Sequence, residues 1–319
     1  MARFLPLAAL LLVATAIVLA AAGTLDDPAA ESPREPGAAE PAEPAAPERV
    51  ARVGATLALP LGLYPALSAQ HGLAPPSEEA LEDARRFARS REGEVSFAVV
   101  GANREVTGLG ATRVYDSASL IKAMILVAYL RELAAGERDP TDLELQRMDD
   151  MIRVSDNFSA SELYEELGPE PMEELASEAG MSSFEADAFW GNCAVTAADQ
   201  VRFFEALDRL LPAAHRDFAR QLLESVASFH SWGIPEAARP KWRVFFKGGW
   251  RPDDEDGQIV HQAALLERGT GKLALAVLSE QNPSETYGHD TIRGIARRLL
   301  VPGVTPGVLV PLTALADRS

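Results

Sequence analysis

The stretch of residues 115–130 constrains the fold more than any other part of the sequence. Its last thirteen residues are apolar except for Ser119, Lys122 and Tyr129. Because an apolar run without a polar face does not lie on a surface, it predicts a helix buried in the middle of a large domain. In that helix Ser119 and Lys122 are three residues apart, so their hydroxyl and amine lie on one face.

Asp116 and Ser117 precede this run and have the short polar side chains that cap helices. A cap there places Ser119 in the first turn, where free backbone N–H groups favour a developing negative charge. The alternative is a chance S-x-x-K whose lysine reaches the surface along its stem. Lysine usage argues against chance, because only four of the 30 basic residues are lysines. A desolvated Lys can act as a base, whereas Arg cannot, so Ser119 and Lys122 are a candidate nucleophile and base.

The composition excludes several classes of protein. A formal net charge of −17 makes nucleic acid an unfavourable partner. Cys193 is the single cysteine, which excludes an intramolecular disulfide and a thiolate metal cluster. We expect no cofactor and no metal, and no G-x-S-x-G, H-E-x-x-H or phosphate-loop motif occurs. The histidines are scattered, and we interpret each as structural: His71, His215, His230, His261 and His289.

The N-terminal segment indicates export. Residues 1–23 contain an apolar run that ends in small residues, which predicts a signal peptide or, if uncleaved, a membrane anchor. Residues 24–76 are mostly rich in Ala, Pro and Glu and are predicted to be a tether with a lead-in that has no clear pattern. We therefore expect a secreted or cell-surface protein, which would meet a membrane only through that anchor.

The order of the remaining elements predicts an α+β fold. A folded domain is expected over residues 77–300, followed by a tail at 301–319. An antiparallel sheet would combine strands from both chain ends, with flanking helices and an all-helical insertion at about 137–235. The predicted strands are Glu94–Val100, Glu105–Leu109, Trp242–Lys247, Gln258–Glu267 and Lys272–Ser279.

Two further polar patterns stand out. Ser155-Asp156-Asn157 lies between two predicted helices, the second opened by a capping box at residues 159–162. Polar loop chemistry before a helix gives the same pattern. Lys247-Gly248-Gly249 ends a predicted strand. Its glycines either mark a turn or allow a ligand to lie against the strand edge.

Taken together, these patterns resemble a known family. Ser119–Lys122, Ser155–Asn157 and Lys247–Gly249 are similar to the S-x-x-K, S-D-N and K-[TS]-G motifs of class A β-lactamases and penicillin-binding proteins, in the same order. The resemblance covers about residues 77–300 and implies the β-lactamase/D,D-peptidase-like fold.

The resemblance also implies roles. Ser119 would be the acylated nucleophile and Lys122 its proton acceptor. Ser155 would relay a proton to the leaving nitrogen, and Asn157 would orient the substrate. Lys247 would supply positive charge for this relay and for a substrate carboxylate.

The oxyanion hole would consist of the backbone N–H groups of Ser119 and Trp250. Gly249, Trp250 and Arg251 complete the implied substrate-binding residues.

Three departures from the family pattern affect these expectations. Gly248 stands where a hydroxyl residue is usual, and Arg251 would have to compensate. The interval between the first two motifs is short. No E-x-x-L-N occurs in the loop at residues 181–194, so Glu185 or Asp187, its only acids, would have to act as the base in deacylation.

The sequence therefore predicts an exported, monomeric serine hydrolase that acts on β-lactams or related amides or esters through a Ser119 acyl-enzyme, with slow deacylation. A peptidoglycan D,D-peptidase needs the same first half of the chemistry. A penicillin or cell-wall sensor without turnover is the third alternative.

Overall fold

The computed structural model describes residues 75–253 and 256–300. The predictions for the leader, the tether and the C-terminal tail lie outside these residues. The helices within the described ranges are α1 (Glu78–Arg89), α2 (Lys122–Ala135), α3 (Asp142–Arg153), α4 (Asn157–Leu167), α5 (Glu170–Ala179), α6 (Ala197–Leu210), α7 (Arg216–Glu224), α8 (Ile234–Ala238) and α9 (Glu285–Leu300). The strands are β1 (Glu94–Val100), β2 (Val106–Leu109), β3 (Val114–Asp116), β4 (Ala194–Thr196), β5 (Arg243–Pro252), β6 (Gln258–Arg268) and β7 (Gly271–Asn282).

Five strands form one antiparallel sheet in the order β2-β1-β7-β6-β5. Strands from the two ends of the domain meet where β1 pairs with β7, as the sequence predicts. β5 is an edge strand of this sheet, with β6 as its only partner among the described strands. The short β3 and β4, which the sequence analysis did not predict, form a separate pair. Because β4 lies within residues 137–235, the insertion predicted to be all-helical also contains a short strand. The predicted α+β class is confirmed.

The apolar helix α2 lies at the centre of the helical region, packed against α3, α4, α5 and α7. Ten of its fourteen residues are buried, which confirms the buried helix predicted from the sequence. Each large aliphatic side chain buried there stabilises the fold by about 1.5–3 kcal/mol relative to exposure. None of the described helices is both long and apolar enough to span a membrane.

The start of this helix differs from the prediction. Ala118–Ile121 forms a 3₁₀ turn, and α2 begins only at Lys122. Ser117 makes no capping bond, because its hydroxyl donates to the backbone oxygen of Trp190 at 3.0 Å. The predicted cap is therefore wrong, and Ser117 instead ties the turn to the loop at residues 181–194.

Two other local predictions are corrected. The N-cap of α4 is Asp156, whose carboxylate accepts the N–H of Ser159 at 2.7 Å, so there is no capping box at residues 159–162. Strand β5 does not end at Lys247 but continues to Pro252. The two glycines of the third motif consequently lie inside a strand rather than in a turn.

Candidate active site

The open edge of β5 packs directly against the 3₁₀ turn that carries Ser119. A Cβ atom added at Gly249 would lie 2.6 Å from the backbone nitrogen of Leu120 and 3.0 Å from that of Ser119. No side chain fits in so short a distance, so glycine is required for the strand to approach the turn. The third motif is thereby held against the start of the nucleophile's helix.

Ser119 is largely buried, with 8% of the residue exposed. Its hydroxyl forms no hydrogen bond with any described residue. Lys122 lies one turn further on but points to the second motif in this structure. Its amine donates to the backbone oxygen of Ser155 at 2.6 Å and to Oδ1 of Asn157 at 2.7 Å. Bonds between a nucleophile and its base are often long in the absence of substrate, so this geometry is compatible with the predicted roles.

The Ser155 hydroxyl lies between two lysine amines. Nζ of Lys247 donates to Ser155 Oγ at 3.0 Å, and Nζ of Lys122 lies 3.3 Å from the same atom. Ser155 has a φ of 58°, a left-handed conformation that costs a residue other than glycine about 1–3 kcal/mol. The chain adopts this strained backbone at the one residue that links both amines.

Burial weakens the proton affinity of both lysines. It lowers the pKa of Lys122 to about 7, and the nearby Asp156 carboxylate only partly opposes this shift. Burial first, and the charge of Lys122 second, also lower the pKa of Lys247 well below its ordinary value. Because two ammonium groups around one hydroxyl repel each other, the pair titrates as a unit. A neutral amine is therefore accessible near pH 7.

Lys247 is fully enclosed rather than directed outwards. It is 1% exposed, and besides Ser155 it donates to the backbone oxygen of Gly248 at 2.8 Å. This arrangement fits the predicted proton relay. The predicted attraction of a substrate carboxylate has no such support, because the amine does not reach into the cleft.

Trp190 from the 181–194 loop covers the other side of Lys122. The Lys122 amine lies 4.7 Å from the centroid of the indole ring. The ring is fixed by a bond from its Nε1–H to Ser161 Oγ at 3.1 Å and by the bond from Ser117 to its backbone oxygen. An aromatic wall therefore stands beside the base.

Neither acid of this loop contacts the nucleophile or its base. Glu185 is exposed and forms a backbone bridge with Ala194. Asp187 is also exposed, and its carboxylate accepts the N–H of Phe189 at 2.9 Å. Within the described ranges, no carboxylate is hydrogen-bonded to Ser119 or Lys122. The geometry gives no support to either acid as the base in deacylation.

Arg251 forms an ion pair with Asp116, with 2.5 Å between Nη2 and Oδ2. Asp116 is held from its other side by His261. Nδ1 of His261 accepts the N–H of Ser279 at 3.1 Å, so Nε2 carries the ring proton and donates to the Asp116 backbone oxygen at 3.0 Å. His261 thus positions the chain just before the 3₁₀ turn, and Arg251 is directed to this support rather than to the place of the missing hydroxyl.

Gly248 faces an aromatic cluster that the sequence analysis did not predict. A Cβ atom at this position would lie 3.1 Å from two ring atoms of Trp232. The ring of Trp250 lies 4.5 Å from that of His230 and 5.9 Å from that of Trp232. Sequence reasoning missed Trp190, His230 and Trp232 because each is far in the chain from the motif that it contacts. The sequence did contain a local signal for these residues, because the loops that carry them include the adjacent aromatic pairs Phe189-Trp190 and Phe229-His230.

Other ligand chemistry finds no support in the described part of the chain. It contains no group of three or more His, Cys, Asp and Glu residues that could hold a metal ion. The buried Cys193 contacts Tyr164 and the N–H of Asp187 through its sulfur. Its environment is that of a packed structural thiol, since burial raises its pKa.

Comparisons with known proteins agree with this geometry. A sequence model of the β-lactamase enzyme family matches residues 144–301, which include the second and third motifs. A comparison with curated proteins found no significant match.

Solved structures share the fold. A β-lactamase from Sphaerobacter thermophilus DSM 20745 aligns with a TM-score of 0.63 and 19% identity, over 73% of this chain and 100% of that one. A class A β-lactamase from Mycobacterium abscessus aligns with a TM-score of 0.60 and 19% identity, over 69% and 98% of the two chains. A β-lactamase from Xanthomonas campestris pv. campestris aligns with a TM-score of 0.62 and 12% identity, over 70% of this chain and 97% of that one.

The family match covers the second and third motifs, which the structure brings together with the first. These findings agree with the resemblance of the three motifs to serine β-lactamases and penicillin-binding proteins, and the solved structures show that the chain shares the fold of this group.

Proposed function

We propose that the protein is an exported serine hydrolase that forms an acyl-enzyme at Ser119 with β-lactams or related amides and esters. The observation that carries this proposal is the position of Ser155, whose hydroxyl lies between the amines of Lys122 and Lys247 beside the nucleophile's turn. Such a chain of proton carriers has little structural purpose, because burying two amines is costly. It suits a reaction in which a proton moves from a nucleophile to a leaving group.

In the proposed acylation, the Ser119 oxygen attacks the substrate carbonyl and its proton passes to the neutral amine of Lys122. The negative charge on the carbonyl oxygen is stabilised by the N–H group of Ser119 at the helix start, together with that of Trp250. When the C–N or C–O bond breaks, Ser155 donates its proton to the leaving atom. Ser155 then recovers a proton from the lysine pair, so the protons balance.

Release of the acyl group is expected to be the slow step. The acyl-enzyme is an ester, and its hydrolysis needs a water that is deprotonated beside it. Glu185 and Asp187 are exposed and directed elsewhere, and the indole of Trp190 occupies the space next to Lys122. This environment favours a long-lived adduct.

Slow release also favours a second candidate function. A peptidoglycan D,D-peptidase or a penicillin sensor needs fast acylation and tolerates slow hydrolysis of the penicilloyl adduct. The wall formed by Trp190 beside Lys122 supports this candidate over efficient β-lactam turnover. The apolar leader and the tether support export in either case, and we propose a monomer.

The test is intact-protein mass measurement after exposure to penicillin, followed over time. The proposal expects a single adduct of the penicillin mass, which peptide mapping places on Ser119. Ser119→Ala is the control and should not be labelled. An adduct on another residue would overturn the proposal, and so would the absence of an adduct with both penicillin and an ester substrate. The rate at which the adduct disappears separates a turnover enzyme from a penicillin-binding protein.

A further inference from the structure

Most of the exposed apolar side chains are immediate sequence neighbours of residues at the candidate site. Among the described residues, six large hydrophobic side chains are exposed. Four of them are one residue away from a residue that contacts the catalytic groups, whereas Val114 and Leu143 are not. The four are Val154 beside Ser155, Phe158 beside Asn157, Phe189 beside Trp190 and Phe229 beside His230. Exposed apolar groups gathered at one site indicate a binding surface.

Next to the third motif, four aromatic side chains pack against one another and form an aromatic wall: Phe229, His230, Trp232 and Trp250. The ring of Phe229 packs against His230 at 4.3 Å, and His230 packs against Trp250 at 4.5 Å. Trp232 continues the wall to the third motif, where it lies against Gly248. Burial, followed by the charges of Lys247 and Lys122, lowers the pKa of His230 to about 4. The imidazole is therefore neutral at physiological pH and adds no positive charge to the wall.

The position of this wall is fixed from beneath by Gln262, which pairs with Gly248 in the sheet. Its amide nitrogen donates to the backbone oxygen of Trp232 at 2.9 Å, and its amide oxygen accepts the N–H of Ile234 at 2.6 Å. Gln262 is completely buried, and both ends of its amide are used. The Trp232 segment is a permanent part of the cleft rather than a mobile cover.

The cations of this region are paired with other groups of the protein. The amines of Lys122 and Lys247 are committed to the second motif and to Gly248. Arg251 pairs with Asp116. Arg153, just before the second motif, donates to the backbone oxygen of Ser225 at 3.1 Å and lies 3.5 Å from Asp149. A carboxylate on the substrate would have to compete with these partners for each cation, next to aromatic rings that offer it no positive charge.

We propose that the cleft selects uncharged substrates with an apolar or aromatic group, an ester or amide without a carboxylate next to the reacting bond. Phe229, His230 and Trp250 are the specificity-determining residues, Trp232 supports them from behind, where it stacks on His289, and Phe158 and Phe189 add exposed aromatic surface. This inference rests on the proposed acyl-enzyme at Ser119. For an ester, the bond from Ser119 Oγ to the carbonyl carbon forms, the carbon–oxygen bond to the alcohol breaks, and the Ser119 proton leaves with that alcohol.

The first experiment compares two substrates that differ in one charge. Benzylpenicillin and its methyl ester share the same ring and side chain, and only the former has a carboxylate. Second-order rates of Ser119 acylation are measured for both by intact-protein mass spectrometry. The methyl ester should react faster, by roughly tenfold or more, the discrimination that a hydrophobic pocket typically provides. A ratio of one or less would overturn the inference while leaving the Ser119 adduct intact.

The second experiment tests whether the aromatic wall binds the apolar group of the substrate. The 4-nitrophenyl esters of phenylacetate and of acetate differ only in an aromatic ring, and the protein should prefer the former. Phe229→Ala and Phe158→Ala should each reduce this preference by about threefold to tenfold. Leu143→Ala removes an equally exposed apolar side chain elsewhere and should change nothing. All three positions are on the surface, so folding is expected to persist and is checked by circular dichroism.

The outcomes separate the two proposals. Acylation of Ser119 by neither penicillin nor ester overturns the proposed function and this inference with it. Acylation with a preference for the charged penicillin overturns only the inference. A preference for the aromatic ester that survives both phenylalanine substitutions shows that these side chains do not bind the substrate.

Discussion

At the residue scale, the proposed mechanism depends on a lysine that must be able to lose its proton. Lys122 is completely buried in a chain that uses arginine for most of its positive charges. A guanidinium stays protonated in a protein, so it could fill the space but could not accept the Ser119 proton. The choice of lysine over arginine at this position is visible in the sequence. The structure shows why the lysine can lose its proton, because it is buried between α2 and the second motif.

Lys122→Arg tests the base directly. It should lower the rate of acylation by on the order of a hundredfold or more, the usual contribution of general-base assistance. The measurement is the second-order rate of penicillin labelling by mass spectrometry. Lys272→Arg is the matched control, because Lys272 is half-exposed and pairs with Asp208 and Glu267. Labelling at the wild-type rate in a folded Lys122→Arg protein would remove Lys122 from the mechanism.

The pH dependence of acylation follows from the pKa of about 7 for Lys122. Below that pH the amine is protonated and cannot accept the Ser119 proton. Above it the base is free, so the rate should rise between about pH 6 and 8 and then reach a plateau. The rate of labelling is measured across pH 5.5–9 with the uncharged methyl ester of benzylpenicillin, whose own charge does not change. A labelling rate that stays constant over this pH range would contradict the lowered pKa of Lys122.

The side chains that surround the motifs could not be predicted residue by residue. His261 was interpreted as structural, and it proves to hold the Asp116 backbone just before the nucleophile's turn. Trp190 and Trp232 reach the site from loops whose path a linear sequence does not reveal. A pattern identifies residues a few positions apart, whereas these contacts join segments that meet only in the folded chain.

At the element scale, most helices and strands follow from local chemistry, and the exceptions lie at the site. The helix α2 was predicted because an apolar run permits little else, but its 3₁₀ start was not. That start depends on Ser117 bonding to Trp190 and on the approach of β5 to the turn. The strand β5 was predicted to end at Lys247 because glycine is a poor strand former. Its continuation comes from pairing with β6 along its whole length.

The contact between β5 and the 3₁₀ turn can be tested at Gly249. In Gly249→Ala the new Cβ atom would lie 2.6 Å from the Leu120 nitrogen, so the turn or the strand must shift. We expect acylation to fall by on the order of a hundredfold, because small displacements of a nucleophile have effects of that size. The measurement is the labelling rate together with the melting temperature.

Gly136→Ala is the control for this substitution. Gly136 ends α2 with a φ of −80°, and an added Cβ there would be 3.4 Å or more from its neighbours. This variant should keep both its labelling rate and its melting temperature. If Gly249→Ala labels as fast as Gly136→Ala, the close approach of β5 is not needed for catalysis.

At the scale of the whole molecule, the fold brings together three motifs that are distant in sequence. The sheet combines strands from both ends of the domain, so β5 arrives beside a turn that lies more than a hundred residues earlier. The order of elements predicted this architecture, because helices between two sets of strands allow few arrangements. The order of elements could not predict that the Trp232 segment fills the space beside Gly248. The position of this segment depends on Gln262, which binds the backbone of Trp232 and Ile234.

The proposed reaction cycle includes a step for which the described residues offer no base in contact with Ser119 or Lys122. The proposed acylation uses Ser119, Lys122 and Ser155, of which Lys122 and Ser155 are in direct contact. Deacylation needs a deprotonated water, and the acids of the 181–194 loop are exposed and directed away. General-base assistance contributes about 10²–10⁴-fold, so release should be slower than assisted hydrolysis by roughly that factor.

We therefore expect rapid labelling by penicillin followed by a long-lived adduct. The adduct is followed by intact mass after excess penicillin is removed at neutral pH. Glu185→Gln and Asp187→Asn should leave its lifetime unchanged, because neither carboxylate contacts the nucleophile or its base. Clearance within about a second would instead require an assisting base, since unassisted hydrolysis lacks the typical 10²-fold or greater contribution. In that case the variant that prolongs the adduct would identify the base, and rapid turnover would make β-lactam hydrolysis the better description of the enzyme.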